Sequence, residues 1–443
     1  MSVDFKTEYK KKLVSVDEAV AIVKSDDWIE YAFGLNAPLE FDKALSRRKD
    51  ELWNVQIRCD VGVWPKYTSD ADPLGKHFYW NSWHLSNLDR KYYDKGLLSY
   101  IPMKFNELPV MTRNQSHCPR IFVAQVTPMD KHGFFNFGVS SISCWAAIET
   151  ADIVILEVNE KMPRVLGGNQ ESIHISQAHY VIEGENPELP EIPNPEASDV
   201  DKQIAGHIIE RLYDGCCLQL GIGGMPNAVG SMVAESDLKD FGVHSEMYVD
   251  AFVKMSEAGK INGSRKNIDK YKQVFSFALG SKHLYDFIDD NPGVVSYSID
   301  YVNNPFVIAQ LDDFVSVNGC IEVDLFGQVC SESVGTRQIS GTGGQLDFVQ
   351  GAYRSKGGRS FIAMTSTYEG QDGLTSRIKP TLTPGAIVTT PRTAVHNIVT
   401  EYGVARLKGK STWERAEAII GLADPVFRDD LIKEAEKMKI WRR

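Results

Sequence analysis

Three segments of this 443-residue chain hold residue types at spacings that could do chemistry. In Cys217-Leu218-Gln219-Leu220-Gly221-Ile222-Gly223-Gly224-Met225-Pro226-Asn227, an apolar, strand-like run enters three glycines within four residues, and a proline then opens a helix. Without Cβ atoms the main chain can approach a ligand closely. The helix start presents N–H groups to an anion or to a developing oxyanion. The plain alternative is a tight strand-to-helix turn, although such a turn needs fewer glycines. One βα unit later comes Gly242-Val243-His244-Ser245-Glu246-Met247-Tyr248-Val249-Asp250. An acidic residue at the end of a strand in an α/β unit faces the crevice where ligands bind. With an ordinary pKa of about 4.3, Glu246 is ionised and available as a carboxylate nucleophile, unless it is only a solvated loop residue or helix cap. The third segment, Gly341-Thr342-Gly343-Gly344-Gln345-Leu346-Asp347-Phe348, is another glycine-rich loop ahead of a helix-like stretch, and its N–H groups could also meet a reacting oxygen. Asn303-Asn304-Pro305 reads on its own as a turn.

Other chemistries fit less well. A dinucleotide fingerprint needs glycine where Pro226 stands, although Glu246 lies near the position of its acidic residue. An NAD(P)-binding oxidoreductase therefore remains as an alternative from another class. His174 and His179 are off the i, i+4 spacing of a helical metal pair, and His132 and His244 have no ligand cluster around them, so no metal site is expected. The chain has neither a nucleophile elbow nor a Walker-type phosphate loop.

Strands alternate with helices along the chain. Residues 28–34, Ile121–Val126 and Ile153–Val158 read as short buried strands, and helical spacing runs through 16–23, 201–212 and 413–422. This alternation implies an α/β architecture. The stretch 183–196 holds four prolines and five glutamates in fourteen residues and predicts an extended, solvated connector. The boundaries expected are an α/β domain at 1–186, a Pro/Glu-rich linker at 187–198 and a second α/β domain, with Glu246, at 199–443. The halves echo each other: Asp27–Phe33 followed by Gly34-Leu35-Asn36-Ala37-Pro38 parallels Asp214–Leu220 followed by the glycine turn, and Asp130-x-x-Gly133 parallels Asp324-x-x-Gly327. Two related α/β halves with a site in the cleft between them are expected.

A net charge of −11 argues against a general nucleic-acid surface. There is no apolar run of membrane-spanning length and no apolar secretory leader, so neither membrane insertion nor export is expected. Seven cysteines without a C-x-x-C pair suit a reducing compartment, and a cytoplasmic location follows as an expectation.

GIGGMPNAVG (221–230), HSEMYVDAF (244–252), NGCIEVDLFGQVCSES (318–333), SGTGGQLDF (340–348), VTEYGVARLKGKS (399–411) and WNSWHLS (80–86) together resemble the acetyl-CoA hydrolase/transferase family, and within it the butyrate and 4-hydroxybutyrate CoA-transferases. The resemblance covers essentially the whole chain. It implies two similar, pseudo-duplicated α/β domains of CoA-transferase type with the active site between them, and a homodimer or higher homo-oligomer. It implies CoA exchange between a short-chain acyl-CoA and a carboxylate, with hydrolysis of acyl-CoA as the alternative within the family. CoA thioesters are then substrates, and no cofactor is permanently bound. The resemblance assigns Glu246 as the nucleophile, passing through an acyl-glutamyl anhydride and a glutamyl-CoA thioester. It gives Asn303 and Gly344 as catalytic partners, and Gly221, Ile222, Gly223, Gly224, Met225, Ile321 and Gly344 as CoA-binding. Lys266, Lys270, Arg377 and Lys379 are unassigned candidates for the CoA phosphates. The acyl pocket is expected around Leu35–Ala37 and Phe135–Ser140.

Overall fold

The computed structural model describes residues 4–114, 118–192, 195–370 and 373–442. The chain forms two compact units, residues 1–192 with 274–302 and residues 193–273 with 303–443.

In the first unit the apolar runs become a seven-stranded sheet. Its strands lie in the order Leu98–Tyr100, Phe78–Ser82, Val55–Arg58, Trp28–Tyr31, Ile121–Val126, Ile153–Val158, Tyr180–Glu183, and every neighbouring pair is parallel. All residues of Ile121–Val126 are buried because both faces are covered. Ile121 and Val123 pack with Ile29, Phe41 and Trp80, whereas Phe122, Ala124 and Val126 pack with Phe135, Phe137 and Ile173. Alternate side chains thus feed two cores, which is why the run lacks a polar alternation.

In the second unit the strands run in the order Gly242–Tyr248, Cys217–Gln219, Phe314–Gly319, Arg359–Ala363, Asn397–Thr400, Gly403–Arg406. These pairs are parallel except the last, which is antiparallel. Val323, Ile362, Ile398, Leu407 and Ile419 belong to one core there. Both units share one device: the earliest strand of the sheet (Trp28–Tyr31; Cys217–Gln219) lies between later strands on either side, so strand order reverses beside it. The carboxyl edge at such a reversal is where open α/β sheets bind ligands. A glycine-led turn follows that strand in each unit, beginning at Gly34 and at Gly221.

The helices start where local capping chemistry puts them. Ser198 and Asp201 close a capping box at the head of Asp199–Ile209, and Ser411 and Glu414 do the same for Thr412–Gly421. The Pro/Glu-rich connector begins at Glu183, the last residue of the strand Tyr180–Glu183, and from 184 to 198 contains no helix or strand among its described residues (Pro193 and Asn194 lie outside them). It is not simply solvated, however. Leu189 is buried, Tyr285 Oη donates to Pro190 O at 2.9 Å and Ile192 N donates to Gly280 O at 3.0 Å, because a buried leucine brings main-chain groups that need partners. Among the described residues, no helix is long and apolar enough to cross a membrane.

Candidate active site

Glu246 sits two residues before the end of the strand Gly242–Tyr248, rather than at its last position. Val243, His244 and Ser245 before it are buried, and Ser245 Oγ donates to Leu220 O at 3.2 Å, fastening this strand to the one that enters the glycine turn. The carboxylate meets two donors. Asn303 Nδ2 lies 2.5 Å from Oε2, and the Gly344 N–H bonds the same carboxylate. Burial pushes the Glu246 carboxyl up to about 7, while the Asn303 amide and the Gly344 N–H pull the other way by stabilising the anion.

Both donors are built into helix starts. Asn304 caps the helix Pro305–Ile308 by accepting from Phe306 N at 2.9 Å, so Asn303-Asn304-Pro305 is a cap as well as a turn and leaves Asn303 aimed at Glu246. Gly344 is the N-cap of Gln345–Arg354. An added Cβ on Gly344 would run into Glu246 Oε2 and Asn303 Nδ2, so any larger residue must push those two groups aside. Further along that helix, a Cβ on Gly351 would lie 2.6 Å from Ile308, so glycine lets the two helices approach and holds their starts together. Asn303 is fully buried, and its Oδ1 meets no hydrogen-bond partner among the described residues. The structure therefore brings Glu246, Asn303 and Gly344 into contact.

The glycine turn lies open. Gly223, with φ +115°, caps the helix Gly224–Glu235, and Cβ atoms added at Gly221 or Gly223 would meet nothing within 4 Å. Gly224 differs: a Cβ there would lie 2.7 Å from Asp201 Oδ2. Met225 is buried, but Ile222 is 49% exposed although apolar. A groove of about 340 Å³ runs along the turn, walled also by Ile204, Val317, Cys320, Met364 and Arg377. Ile321 is half-buried next to Cys320, one residue ahead of the strand Glu322–Asp324 rather than within it.

Of the phosphate candidates, Arg377 lines this groove, Lys379 is half-buried in the strand Ile378–Lys379 and Lys270 is exposed. Lys266 is 3% exposed and donates to Val243 O at 3.0 Å and Lys272 O at 2.7 Å, so it serves main-chain carbonyls rather than a ligand. The Leu35–Ala37 segment is buried, with Asn36 Nδ2 donating to Gln125 O at 3.0 Å and to Phe137 O. His174 and His179 are held structurally: His179 Nδ1 accepts from Val154 N at 3.0 Å, and His174 packs against Phe5 and Phe134.

Comparison with known proteins places the chain. The model of the acetyl-CoA hydrolase/transferase N-terminal domain matches residues 2–193, and that of the C-terminal domain matches 280–435. The chain belongs to the acetyl-CoA hydrolase/transferase family. Within this family it is 64% identical to the probable butyrate:acetyl-CoA coenzyme A-transferase of Syntrophomonas wolfei, over 98% of this chain and 97% of the relative. It is 53% identical to the butyryl-CoA:acetate CoA-transferase of Anaerostipes caccae, over 99% of each. The crystal structure of RipA from Yersinia pestis superposes with a TM-score of 0.91 at 35% identity, covering 99% of this chain and all of that one. The acetyl-CoA hydrolase/transferase fold thus accounts for both units.

Proposed function

We propose that this protein is a CoA-transferase that exchanges CoA between butyryl-CoA and acetate, with Glu246 as covalent nucleophile. The observation that carries the reading is a half-buried carboxylate held by a side-chain amide and a main-chain N–H on fixed helix starts. The names of the relatives at 64% and 53% identity support the substrate pair.

The Glu246 carboxylate attacks the thioester carbonyl of the acyl-CoA, the C–S bond breaks, and CoA thiolate leaves an acyl-glutamyl anhydride. The thiolate then adds to the glutamyl carbonyl and expels the first carboxylate, leaving a glutamyl-CoA thioester. The incoming carboxylate attacks that thioester, and the two steps run in reverse. One thioester replaces another, so the cycle needs no ATP and no permanently bound cofactor. Covalent catalysis of this kind shows ping-pong kinetics. The Asn303 amide and the Gly344 N–H, which hold a glutamate oxygen in the resting enzyme, meet the glutamyl oxygen when negative charge gathers there; loss of one such donor costs about 3 kcal/mol. The open turn at Gly221–Met225, with Ile222 and the apolar walls of its groove, receives the pantetheine arm, and Arg377 meets the phosphates. A cytoplasmic homodimer is part of the same reading, to be checked by light scattering and cell fractionation.

The test is to incubate enzyme with butyryl-CoA without acceptor and analyse the Glu246 peptide by mass spectrometry. CoA bound at Glu246, and loss of transfer in Glu246→Gln, are expected. Near-normal transfer by that variant sinks the assignment, and acyl-CoA loss independent of acetate indicates hydrolysis.

A further inference from the structure

We propose that Glu332 is a positioning residue: its buried carboxylate clamps the loop 338–342 and so sets the Gly344 N–H against Glu246. The inference rests on Glu246 as nucleophile.

Glu332 is 3% exposed and immediately precedes a small hairpin, Ser333–Val334 paired with Arg337–Gln338. Its main-chain carbonyl accepts from Ile339 N at 2.7 Å and Ser340 N at 3.2 Å. Its side chain reaches further along the returning chain. Oε2 accepts from Gln338 Nε2 at 3.1 Å, and Oε1 accepts from Thr342 Oγ1 at 3.2 Å. Ser340 Oγ adds a tie back to Ser331 O at 3.2 Å. The segment is thus fixed at successive points, the last of them two residues before Gly344.

Between clamp and donor stands Gly343, with φ +54°, a link that imposes little stiffness of its own. A donor to a developing oxyanion works only at about 2.7–3.1 Å, so the approach to position 344 must be held to a fraction of an ångström. A buried carboxylate suits this task because removing it from water is costly unless donors satisfy it, which makes the Thr342 contact stiff. If the hairpin only needed stability, a well-packed apolar side chain would serve as well.

The test uses the full-length enzyme with Glu332→Gln, Thr342→Val and Thr342→Ser. In Glu332→Gln and Thr342→Val, kcat is expected to fall roughly 10-fold or more, with KM for acyl-CoA within about twofold. The acid limb of the pH profile should move to higher pH, because the Glu246 anion loses a donor. Thr342→Ser, which keeps the hydroxyl, should restore both. Folded Glu332→Gln and Thr342→Val variants with parental kcat and pH profile overturn the inference; should Glu332→Gln not fold, the valine and serine variants decide it alone. Failure of the parent enzyme to form a CoA adduct on Glu246 while turning over would instead remove the nucleophile assignment.

Discussion

The two glycine-led turns occupy equivalent places, each after the strand beside which strand order reverses, yet they are finished in opposite ways. In the first unit the turn is filled by protein. Leu35 is 2% exposed, and the Asn36 amide is spent on the carbonyls of Gln125 and Phe137. In the second unit the corresponding leucine-like position is Ile222, 49% exposed, and the glycines beside it face open space. The difference teaches that topology supplies a crevice, while side chains decide whether it is packed or kept for a substrate.

The contrast can be broken most sharply with glycine substitutions. Gly344→Ala is expected to lower kcat at least about 10³-fold, by displacing Glu246 and Asn303, with the fold retained in circular dichroism. Gly34→Ala, at φ +58° in the filled turn, should instead cost about 1 kcal/mol of stability, read in a urea titration. The asparagines come next. Asn303→Ala should reduce kcat by about 10²–10³, whereas Asn36→Ala should destabilise by about 1–3 kcal/mol and still form the Glu246 adduct. Parental turnover in Asn303→Ala would erase the distinction.

The charge on Glu246 gives a smaller, pH-dependent effect. Its folded pKa of about 7 stands above the ordinary 4.5, so folding favours the protonated form. The associated stability is complete below about pH 4.5 and is lost as pH rises through about 7. Glu246→Gln should therefore exceed the parent by ~1–3 kcal/mol at about pH 8 and match it at about pH 4.5 in urea titrations. On the proposed mechanism only the anion attacks the thioester, so kcat/KM of the parent should fall on the acid side of about pH 7. Smallest of all is Ile222→Ala, expected to change stability by less than about 0.5 kcal/mol while raising KM for acyl-CoA a few-fold. Leu35→Ala, in the packed turn, should cost about 2–5 kcal/mol in the same stability assay.

What could be read before folding was whatever depends on neighbours in sequence. Ile121–Val126 and Ile153–Val158 appear as strands at the expected residues because burial on both faces leaves a continuous apolar run. The glycine turn and the helix after it announce themselves through local punctuation. The meeting of Glu246 with Asn303 and Gly344 does not, since it depends on Gly351 fitting against Ile308, a contact between residues far apart in the chain; the glycine loop at 341–344 stood out by itself, but only the resemblance pointed to Asn303. Lys266 was misleading for a related reason. A lysine between polar residues looks solvated, and its burial against the carbonyls of Val243 and Lys272 is a tertiary fact. Glu332 gave no signal either, because a clamp is defined by what it grips.

Position 344 presents its hydrogen to Glu246 from the peptide link itself. Every codon except one for proline would preserve that N–H, so mutation there does harm through bulk rather than through a missing proton. The constraint at this position is therefore one of volume, set by how close the Glu246 and Asn303 side chains lie to the Gly344 backbone.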